Sequence, residues 1–484
     1  MNIETRRRPS FNLRKIAFQT ALALLAMSAV ASNTALASGY QFGSQTVSGQ
    51  GNADAGGAQT DDASTVFYNP AGMTRLKDTQ LQLGATIAIP HSTYTDFGST
   101  RFTGTSTGGT AASGYAPGSV TAPSFYLTTP INDKFTFGLG VFVPYGAQLD
   151  YGNTWTGRYN LTNLKLQSLD INPSLAFKLN EQHSFGVGIS AQYMKANLSQ
   201  AVDVPGSLQA LTGTPVAATL AQEIAAMGGN PAVLANVHDG EGQLTGHHWG
   251  YGFNLGYLFQ LNDSTRFGLA YRSSIKQKLE GNATWDFSGV TSDPVTNAVL
   301  ASASHRANSA TQLDLNTPET VSANVFSQLN AEWAAMADLT WTRNSRLGDL
   351  SVQFPGTVEG NEVIRQDWRD TYRLSLGANY RYSDALLLRG GIAFDQSPVR
   401  SAQLTDPAFP DSNRVWYSLG LNYRFDKHSS IDAAYSYVAF KDAPVDYTNN
   451  CTPLSTTCTG NGETTYGKYQ TNIQFVGIAY NYKF

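Results

Sequence analysis

Charged side chains, cysteines and long apolar segments are all scarce in this chain. Only 14% of its 484 residues are charged, against about 25% in an average soluble protein. The 32 basic residues do not outnumber the 36 acidic ones, which argues against a nucleic-acid-binding protein. The chain does contain 45 glycines, 24 tyrosines and 24 phenylalanines. Because aromatic residues are this abundant and net charge is low, a disordered chain is excluded.

The first 37 residues have the composition of a secretory signal peptide. A basic start with Arg6, Arg7 and Arg8 is followed by an apolar run over residues 16–31 and by a small-x-small site that ends at Ala37. A transmembrane helix needs about 20 apolar residues, so this run favours a cleaved signal. Past it, no apolar run is long enough for a helical membrane span. The mature chain is therefore either an exported soluble protein or a transmembrane β-barrel, which can cross lipid because closure pairs its backbone groups.

Strict alternation of apolar with small or polar residues predicts β-strands along most of the chain. It is clearest over residues 185–193, 249–259, 372–381 and 417–425. A soluble β-sandwich would alternate too. Long strands with aromatic residues at their ends favour an outer-membrane barrel instead, as does the last strand, in which apolar residues alternate up to a terminal Phe484.

Short and long connections follow one another without exception, and they predict fourteen strands. Short polar turns are expected at 132–133, 180–183, 262–264, 330–331, 383–384 and 426–428. Long connections are expected near 91–119, 145–163, 199–245, 281–311, 344–369, 397–413 and 442–464. Short turns at one end and long loops at the other are typical of outer-membrane barrels. The sequence thus predicts an all-β, fourteen-stranded antiparallel transmembrane β-barrel over residues 81–484, with long extracellular loops, in the bacterial outer membrane.

Residues 38–80 precede the first strand and do not alternate. They are rich in small residues but also carry Phe67, Tyr68 and Met73. A fourteen-stranded barrel is wide, and its inward residues are too small to fill it. We therefore expect this segment to fold into the lumen as a hatch, although its glycine content would also suit a disordered leader.

Six groups of motifs, in order along almost the whole mature chain, carry a resemblance to a known family. They are Asp61-Asp62-Ala63 with Asn69-Pro70-Ala71, Pro130-Ile131-Asn132-Asp133, Ser184-Phe185-Gly186-Val187-Gly188, Tyr271-Arg272-Ser273, Gly391-Ile392-Ala393-Phe394-Asp395 with Ser397-Pro398-Val399, and Pro410-Asp411 with Arg414. With these motifs the chain resembles the FadL family of outer-membrane transporters for long-chain fatty acids and hydrocarbons. The resemblance implies a fourteen-stranded barrel with an N-terminal hatch, and it places Asn69, Pro70 and Ala71 in that hatch.

Two of the long loops are candidates for a hydrophobic ligand site. Leu220 and Ile224 recur at helical spacing in the first loop, and the second carries Trp285 and Phe287. An apolar helix facing water needs a partner. The resemblance implies a capture groove between these loops, but packing of one loop on the other would account for the same residues.

Strand parity points several arginines into the lumen, where a cation could attract a carboxylate. Arg369 and, further from the strand, Arg365 are the candidates nearest the loop end, and the resemblance implies a basic residue at Arg369. Inward arginines also commonly pair with acidic residues of the wall or hatch, which is the structural alternative for each of them.

Pro144 and Gly146 interrupt the third strand, since proline removes a ladder hydrogen bond and glycine permits a bend. The resemblance implies a kink at Gly146 that opens the wall sideways; an ordinary strand end is the alternative. Cys451 and Cys458 lie in the last long loop, where an oxidising compartment favours a disulfide.

Together these features predict a passive outer-membrane transporter for hydrophobic compounds, with long-chain fatty acids as the first candidate and aromatic hydrocarbons or alkanes as the alternative. A general porin or an adhesin is a weaker alternative from another class. We expect no enzymatic activity, no cofactor, no metal site and no nucleic-acid partner. The expected partners are the hydrophobic ligand, outer-membrane lipid and lipopolysaccharide, and the barrel assembly machinery, with the protein as a monomer.

Overall fold

The computed structural model describes residues 41–110, 118–348, 350–357, 361–449 and 462–484. The signal segment and both cysteines therefore lie outside the described residues. The strands in this part of the chain are β1 (Gln80–Asp96), β2 (Val120–Pro130), β3 (Phe135–Phe142), β4 (Gly146–Asp150), β5 (Asn163–Lys178), β6 (His183–Val202), β7 (Gly240–Gln260), β8 (Thr265–Arg272), β9 (Lys276–Asp286), β10 (Ser309–Asn316), β11 (Thr320–Gln328), β12 (Trp333–Thr342), β13 (Leu350–Gln353), β14 (Glu362–Ile364), β15 (Thr371–Arg381), β16 (Leu386–Asp395), β17 (Arg414–Arg424), β18 (Ser429–Phe440), β19 (Ala443–Thr448) and β20 (Thr464–Lys483).

Helices are few and short. The α-helices are α1 (Val47–Gly51), α2 (Thr65–Tyr68), α3 (Val204–Leu211), α4 (Pro215–Ala226) and α5 (Pro294–Ala303). Short 3₁₀ helices span Pro70–Arg75, Pro231–Asn236, Asn344–Arg346 and Ala402–Leu404. No helix in the described part of the chain is both long and apolar enough to cross a membrane.

Fourteen of the strands form a closed antiparallel barrel, as predicted. They are β1, β2, β3, β5, β6, β7, β8, β11, β12, β15, β16, β17, β18 and β20, and each pairs with the next around the ring. The ring closes where β1 pairs along its whole length with β20, from Gln80 opposite Lys483 to Asp96 opposite Gly467. Closure satisfies the backbone hydrogen bonds that an open edge would leave unpaired.

The long connections, which define the long-loop end of the barrel, contain more strand than the sequence analysis allowed. Residues 281–311, for example, were predicted to be a connection, yet β9 continues to Asp286 and β10 begins at Ser309. β9 pairs with β7 and β10, and β10 pairs with β13. Because β6 and β7 run for 20 and 21 residues, they supply an edge on which these loop strands build an extension of the wall.

The two faces of the wall follow the alternation of the sequence. Outward-facing Ile189, Tyr251 and Leu419 are 62%, 71% and 67% exposed, whereas their neighbours on each strand turn inward. An apolar outer surface of this extent is the surface that a barrel presents to lipid.

Residues 41–76 lie in the lumen, so the prediction of a hatch is confirmed. Val47 in α1, Val66 in α2 and Met73 in the following 3₁₀ helix are all buried. Met73 and Val66 pack with Tyr126, Phe142 and other inward side chains of the wall. The hatch therefore supplies the apolar side chains that the small inward residues of the strands lack.

Candidate functional site

The Asn69-Pro70-Ala71 turn starts the last helix of the hatch and attaches it to the wall. Asn69 Oδ1 accepts a hydrogen bond from the Ala71 amide at 3.1 Å, and Pro70 occupies the first helical position, which is the usual arrangement at a helix start. Asn69 Nδ2 also donates to the Tyr257 carbonyl of β7 at 3.0 Å. The motif thus serves as a helix cap and as an anchor at the same time.

Two glycines of the wall make room for this turn. A β-carbon at Gly256 of β7 would collide with Asn69 Oδ1, and one at Gly186 of β6 would collide with the Ala71 amide. Only glycine allows the hatch backbone to approach the strands so closely. Glycines at inward positions, which in the sequence indicate only a wide lumen, are here the contact surface of the hatch.

Asp54 joins the hatch to strand β15 of the wall. Arg373 of β15 donates to Asp54 Oδ2 at 2.9 Å and to the Gly43 and Ala53 carbonyls. The Tyr68 hydroxyl donates to the other carboxylate oxygen at 2.6 Å. Ala53 and Asp54 both adopt left-handed backbone conformations, with φ of 53° and 60°, which side chains disfavour. The ion pair therefore holds the hatch in a strained local conformation.

A leucine-lined cavity lies inside the long-loop end. Its volume is about 120 Å³. The wall strands β5, β6 and β7 and the loop strands β9, β10, β13 and β14 contribute to it. Its apolar lining consists of Leu161, Leu164, Leu166, Met194, Ala196, Leu198, Leu244, Leu279, Leu313, Leu315, Leu347, Leu350, Val352, Ile364, Ala408 and Phe409.

Polar side chains line the same cavity, and two of them are acidic. Glu362 of β14 and Asp406 of the 397–413 connection are both lining residues, as is Gln366. Burial raises the pKa of Asp406 to about 6. Burial also raises the pKa of the Glu362 carboxyl, against the attraction of Arg306. Among the described residues that line the cavity there is no lysine, arginine or histidine.

The predicted loop residues come together, but in a separate cluster. Leu220 and Ile224 of α4 are 7% and 0% exposed and pack with Phe287 and with residues of α5, while Trp285 lies at the margin. Leu220, Ile224 and Phe287 pack one loop on the other, whereas Trp285 also packs beside the cavity residues Leu313 and Ile364. None of the four lines the leucine-lined cavity. A capture groove at these loops remains a prediction.

The two predicted arginines lie near the cavity without lining it. Arg369 Nε donates to the Ser397 carbonyl at 3.0 Å. Arg365 is exposed, although it stands between Ile364 and Gln366, which both line the cavity. Whether either arginine attracts a ligand carboxylate stays a prediction.

The third wall strand is interrupted where Pro144 and Gly146 predicted it. β3 ends at Phe142, opposite Asp170 of β5, and pairing resumes with Gly146 opposite Gln167. Residues 143–145 thus face only residues 168–169, which is a bulge with one extra residue. Ser168 compensates for the lost ladder, because its hydroxyl bonds both the Tyr145 amide and the Tyr145 carbonyl, at 2.8 and 2.7 Å.

β2 follows β3 for only part of its length, and the hatch lies against the bulge. Pairing of β2 with β3 stops at Phe125 opposite Val141, although β2 runs on to Val120 and pairs there with β1. The Phe42 amide of the hatch donates to the Pro144 carbonyl at 2.8 Å, and Gln41 forms a bridge with Tyr145. The first described residues of the hatch therefore pack directly against the bulge.

A sequence profile for the family described as "Outer membrane protein transport protein (OMPP1/FadL/TodX)" matches residues 28–484. The chain belongs to this family. It is 34% identical over 473 residues to a Neisseria meningitidis serogroup B protein named only as an outer membrane protein, covering 95% of this chain and 98% of that one. It is 31% identical over 429 residues to the long-chain fatty acid transport protein of Escherichia coli K12, covering 87% and 92%. A crystal structure of a Pseudomonas aeruginosa FadL homologue matches with a TM-score of 0.79 and 26% identity, covering 93% and 100%.

Membership of the FadL family establishes a transporter of hydrophobic compounds in the bacterial outer membrane.

Two inward arginines of the wall have a structural role. Arg389 pairs with Asp432 of the wall, and Arg414 pairs with Asp395 and Asp411 at 2.9 and 2.5 Å. The alternative that such arginines pair with acidic residues therefore holds for these two.

The sequence analysis did not predict the cavity. Its leucines come from strands and connections far apart in the chain, and many lie in segments that were taken for loops. The local signals were alternating apolar residues such as Leu313 and Leu315 of β10 or Leu164 and Leu166 of β5, which mark strands with one apolar face.

Proposed function

We propose that this protein takes up long-chain fatty acids through the leucine-lined cavity and releases them sideways at the bulge in β3. The observation that carries the proposal is the cavity: an apolar space, with a few polar groups, at the long-loop end of a barrel whose lumen holds the hatch. An acyl chain gains about 0.8 kcal/mol for each methylene removed from water. Ten buried methylenes would then contribute about 8 kcal/mol before the cost of immobilising the chain.

The position of the bulge supports the exit route. Tyr145 and Ala147 beside the bulge belong to the same apolar cluster as the cavity residues Leu164, Leu166 and Met194. A ligand moving from the cavity toward the bulge would stay on apolar side chains. It would then need the hatch residues at Gln41 and Phe42 to give way before reaching lipid.

In this proposal the long-loop end faces the outside of the cell. Arg365 and Arg369 would attract the carboxylate of a fatty acid as it arrives, because a cation at the mouth of a low-dielectric cavity raises the local concentration of anions. The loop cluster of Leu220, Ile224, Trp285 and Phe287 would hold the two long loops in place around the entrance.

Filling the cavity tests the proposal. Ala196 lines the cavity from β6, whereas Ala191 lies on the same strand and faces outward. We expect Ala196→Phe to reduce oleate binding by the purified protein and oleate uptake by cells, and Ala191→Phe to leave both near the wild-type level. Equal oleate binding by wild type and Ala196→Phe, with both proteins folded, would show that the ligand binds elsewhere.

Two further measurements separate this function from its alternatives. Competition between oleate and toluene for the cavity distinguishes fatty-acid uptake from uptake of aromatic hydrocarbons, since the preferred ligand displaces the other. Planar-bilayer conductance addresses the general porin: a filled lumen should pass little current, and a large steady current through the wild-type protein would favour the porin.

A further inference from the structure

The polar side of the leucine-lined cavity has an unusual composition for a site that receives a fatty acid. Glu362, Asp406 and Gln366 face the space, and no cationic side chain lines it among the described residues. A site built for a carboxylate anion would place arginine or lysine where the head group rests. This cavity places carboxyl groups and an amide there instead.

Gln366 provides the independent sign that a ligand head group is received here. Its side chain is 1% exposed and lines the cavity. Its Nε2 atom has no hydrogen-bond partner in the described part of the chain. Buried donors are almost always paired, so an unpaired amide on a residue that lines a cavity can be satisfied by an acceptor oxygen on whatever enters.

The charged groups around the two carboxyls determine how they respond to a ligand. Burial raises the pKa of Glu362, although the nearby Arg306 and Gln200 both favour its anion. Asp406 faces Glu362, and this like charge adds to the effect of burial on its pKa. The Tyr447 hydroxyl lies close to both acids and to Glu463, and its pKa is raised, so it stays neutral.

An ionised ligand entering this environment would be penalised twice. It would give up its water in an apolar cavity, and it would approach two acidic groups where no described lining residue is cationic. A neutral head group avoids both costs. It could accept a hydrogen bond from Gln366, whose amide does not titrate.

We propose that the cavity selects ligands with an uncharged, hydrogen-bond-accepting head, so that a long-chain fatty acid is held there as the protonated acid. The acid would take its proton from bulk water near the entrance and return it on leaving. Long-chain alcohols would bind in the same way at any pH. This inference rests on the proposed function, because it assumes that the cavity is the ligand site.

The test compares two ligands of the same chain length, tetradecanoic acid and 1-tetradecanol, by calorimetric titration of the full mature protein in lipid nanodiscs. We expect the affinity for the alcohol to be the same at about pH 5.5 and about pH 8. The affinity for the acid should fall over this interval, by up to about 300-fold if only the protonated form binds, since each pH unit above the pKa removes about nine-tenths of that form.

Variants connect this pH dependence to the named side chains. Glu362→Gln combined with Asp406→Asn keeps the shape of the cavity but removes both acids, and should strengthen acid binding at pH 8 by about tenfold or more without changing alcohol binding. Glu280→Gln, a change at an exposed acid of β9, is the matched control and should change neither. Gln366→Leu should weaken binding of 1-tetradecanol but not of tetradecane.

Two results would overturn the inference. One is an acid affinity at pH 8 equal to that of the alcohol. The other is an unchanged ratio of acid to alcohol affinity in the Glu362→Gln, Asp406→Asn protein. Failure of the proposed function has a different signature: none of the ligands binds, or Ala196→Phe leaves their binding intact.

Discussion

Replacing Asp54 with alanine should loosen the hatch and make the barrel conduct ions. Asp54 is 9% exposed, and its carboxylate receives hydrogen bonds from Arg373, Tyr68 and Ser44. Removing one partner of a buried ion pair costs about 3–5 kcal/mol, because the other charge is left uncompensated. The Arg373 side chain is 16% exposed and keeps two carbonyl partners, so we take the lower value. About 3 kcal/mol raises the population of hatch-open molecules about 100-fold.

The assay is planar-bilayer recording of single wild-type and Asp54→Ala barrels. We expect rare, short openings in the wild type and far more frequent ones in the variant. Asp54→Asn loses the charge but keeps a side chain that can hydrogen-bond with Tyr68 and Ser44. Its frequency of openings should lie between those of the wild type and Asp54→Ala. Asp61→Ala is the control, because Asp61 is a 58% exposed hatch residue 3.8 Å from its arginine partner. If Asp54→Ala opens no more often than Asp61→Ala, the ion pair does not hold the hatch closed.

Three more changes test other contacts. Gly256→Val should force Asn69 off the wall and lower the melting temperature of the protein. Gly390→Val is the control and should not lower it, because a β-carbon there meets nothing closer than 4.0 Å. Equal melting temperatures of the two variants would contradict the close approach of the hatch to Gly256. Phe287→Ala should destabilise the packing of the two loops by about 3–5 kcal/mol and speed amide hydrogen exchange in α4 and α5. Unchanged exchange would mean that the loops do not depend on this cluster. Arg369→Glu should slow oleate association most at low salt, since charges near the surface act over about a Debye length. An association rate that depends on neither the substitution nor the salt would show that Arg369 does not attract the ligand.

Strand count and order were predictable because they depend on local pattern. The alternation of residues 249–259 or 417–425 repeats along each strand, and one face of each strand has to match lipid. The six short turns interrupt that pattern at regular intervals. None of this requires knowledge of distant contacts, and the structure confirms all fourteen strands.

The hatch was predictable in outline from the same reasoning. A wide barrel with small inward residues requires something in its lumen, and Asn69 before Pro70 predicts a helix start. Its partners were not predictable, since the Asp54–Arg373 pair joins residues more than 300 positions apart. Nothing near Arg373 in the sequence distinguishes it from Arg369, which bonds a backbone carbonyl instead.

The sequence by itself determined the closed barrel, its membrane-facing surface, the filled lumen and the break at Pro144, because periodicity, strand length and turn chemistry are local properties of the chain. Only the tertiary structure decided where a ligand can rest. The cavity brings together Leu164, Leu279, Leu313 and Leu350 from separate strands and sets Glu362 and Asp406 beside them. Which side chains share an enclosed space depends on how strands register around the ring and how loops fold over its mouth, and those contacts leave no periodic trace in the chain.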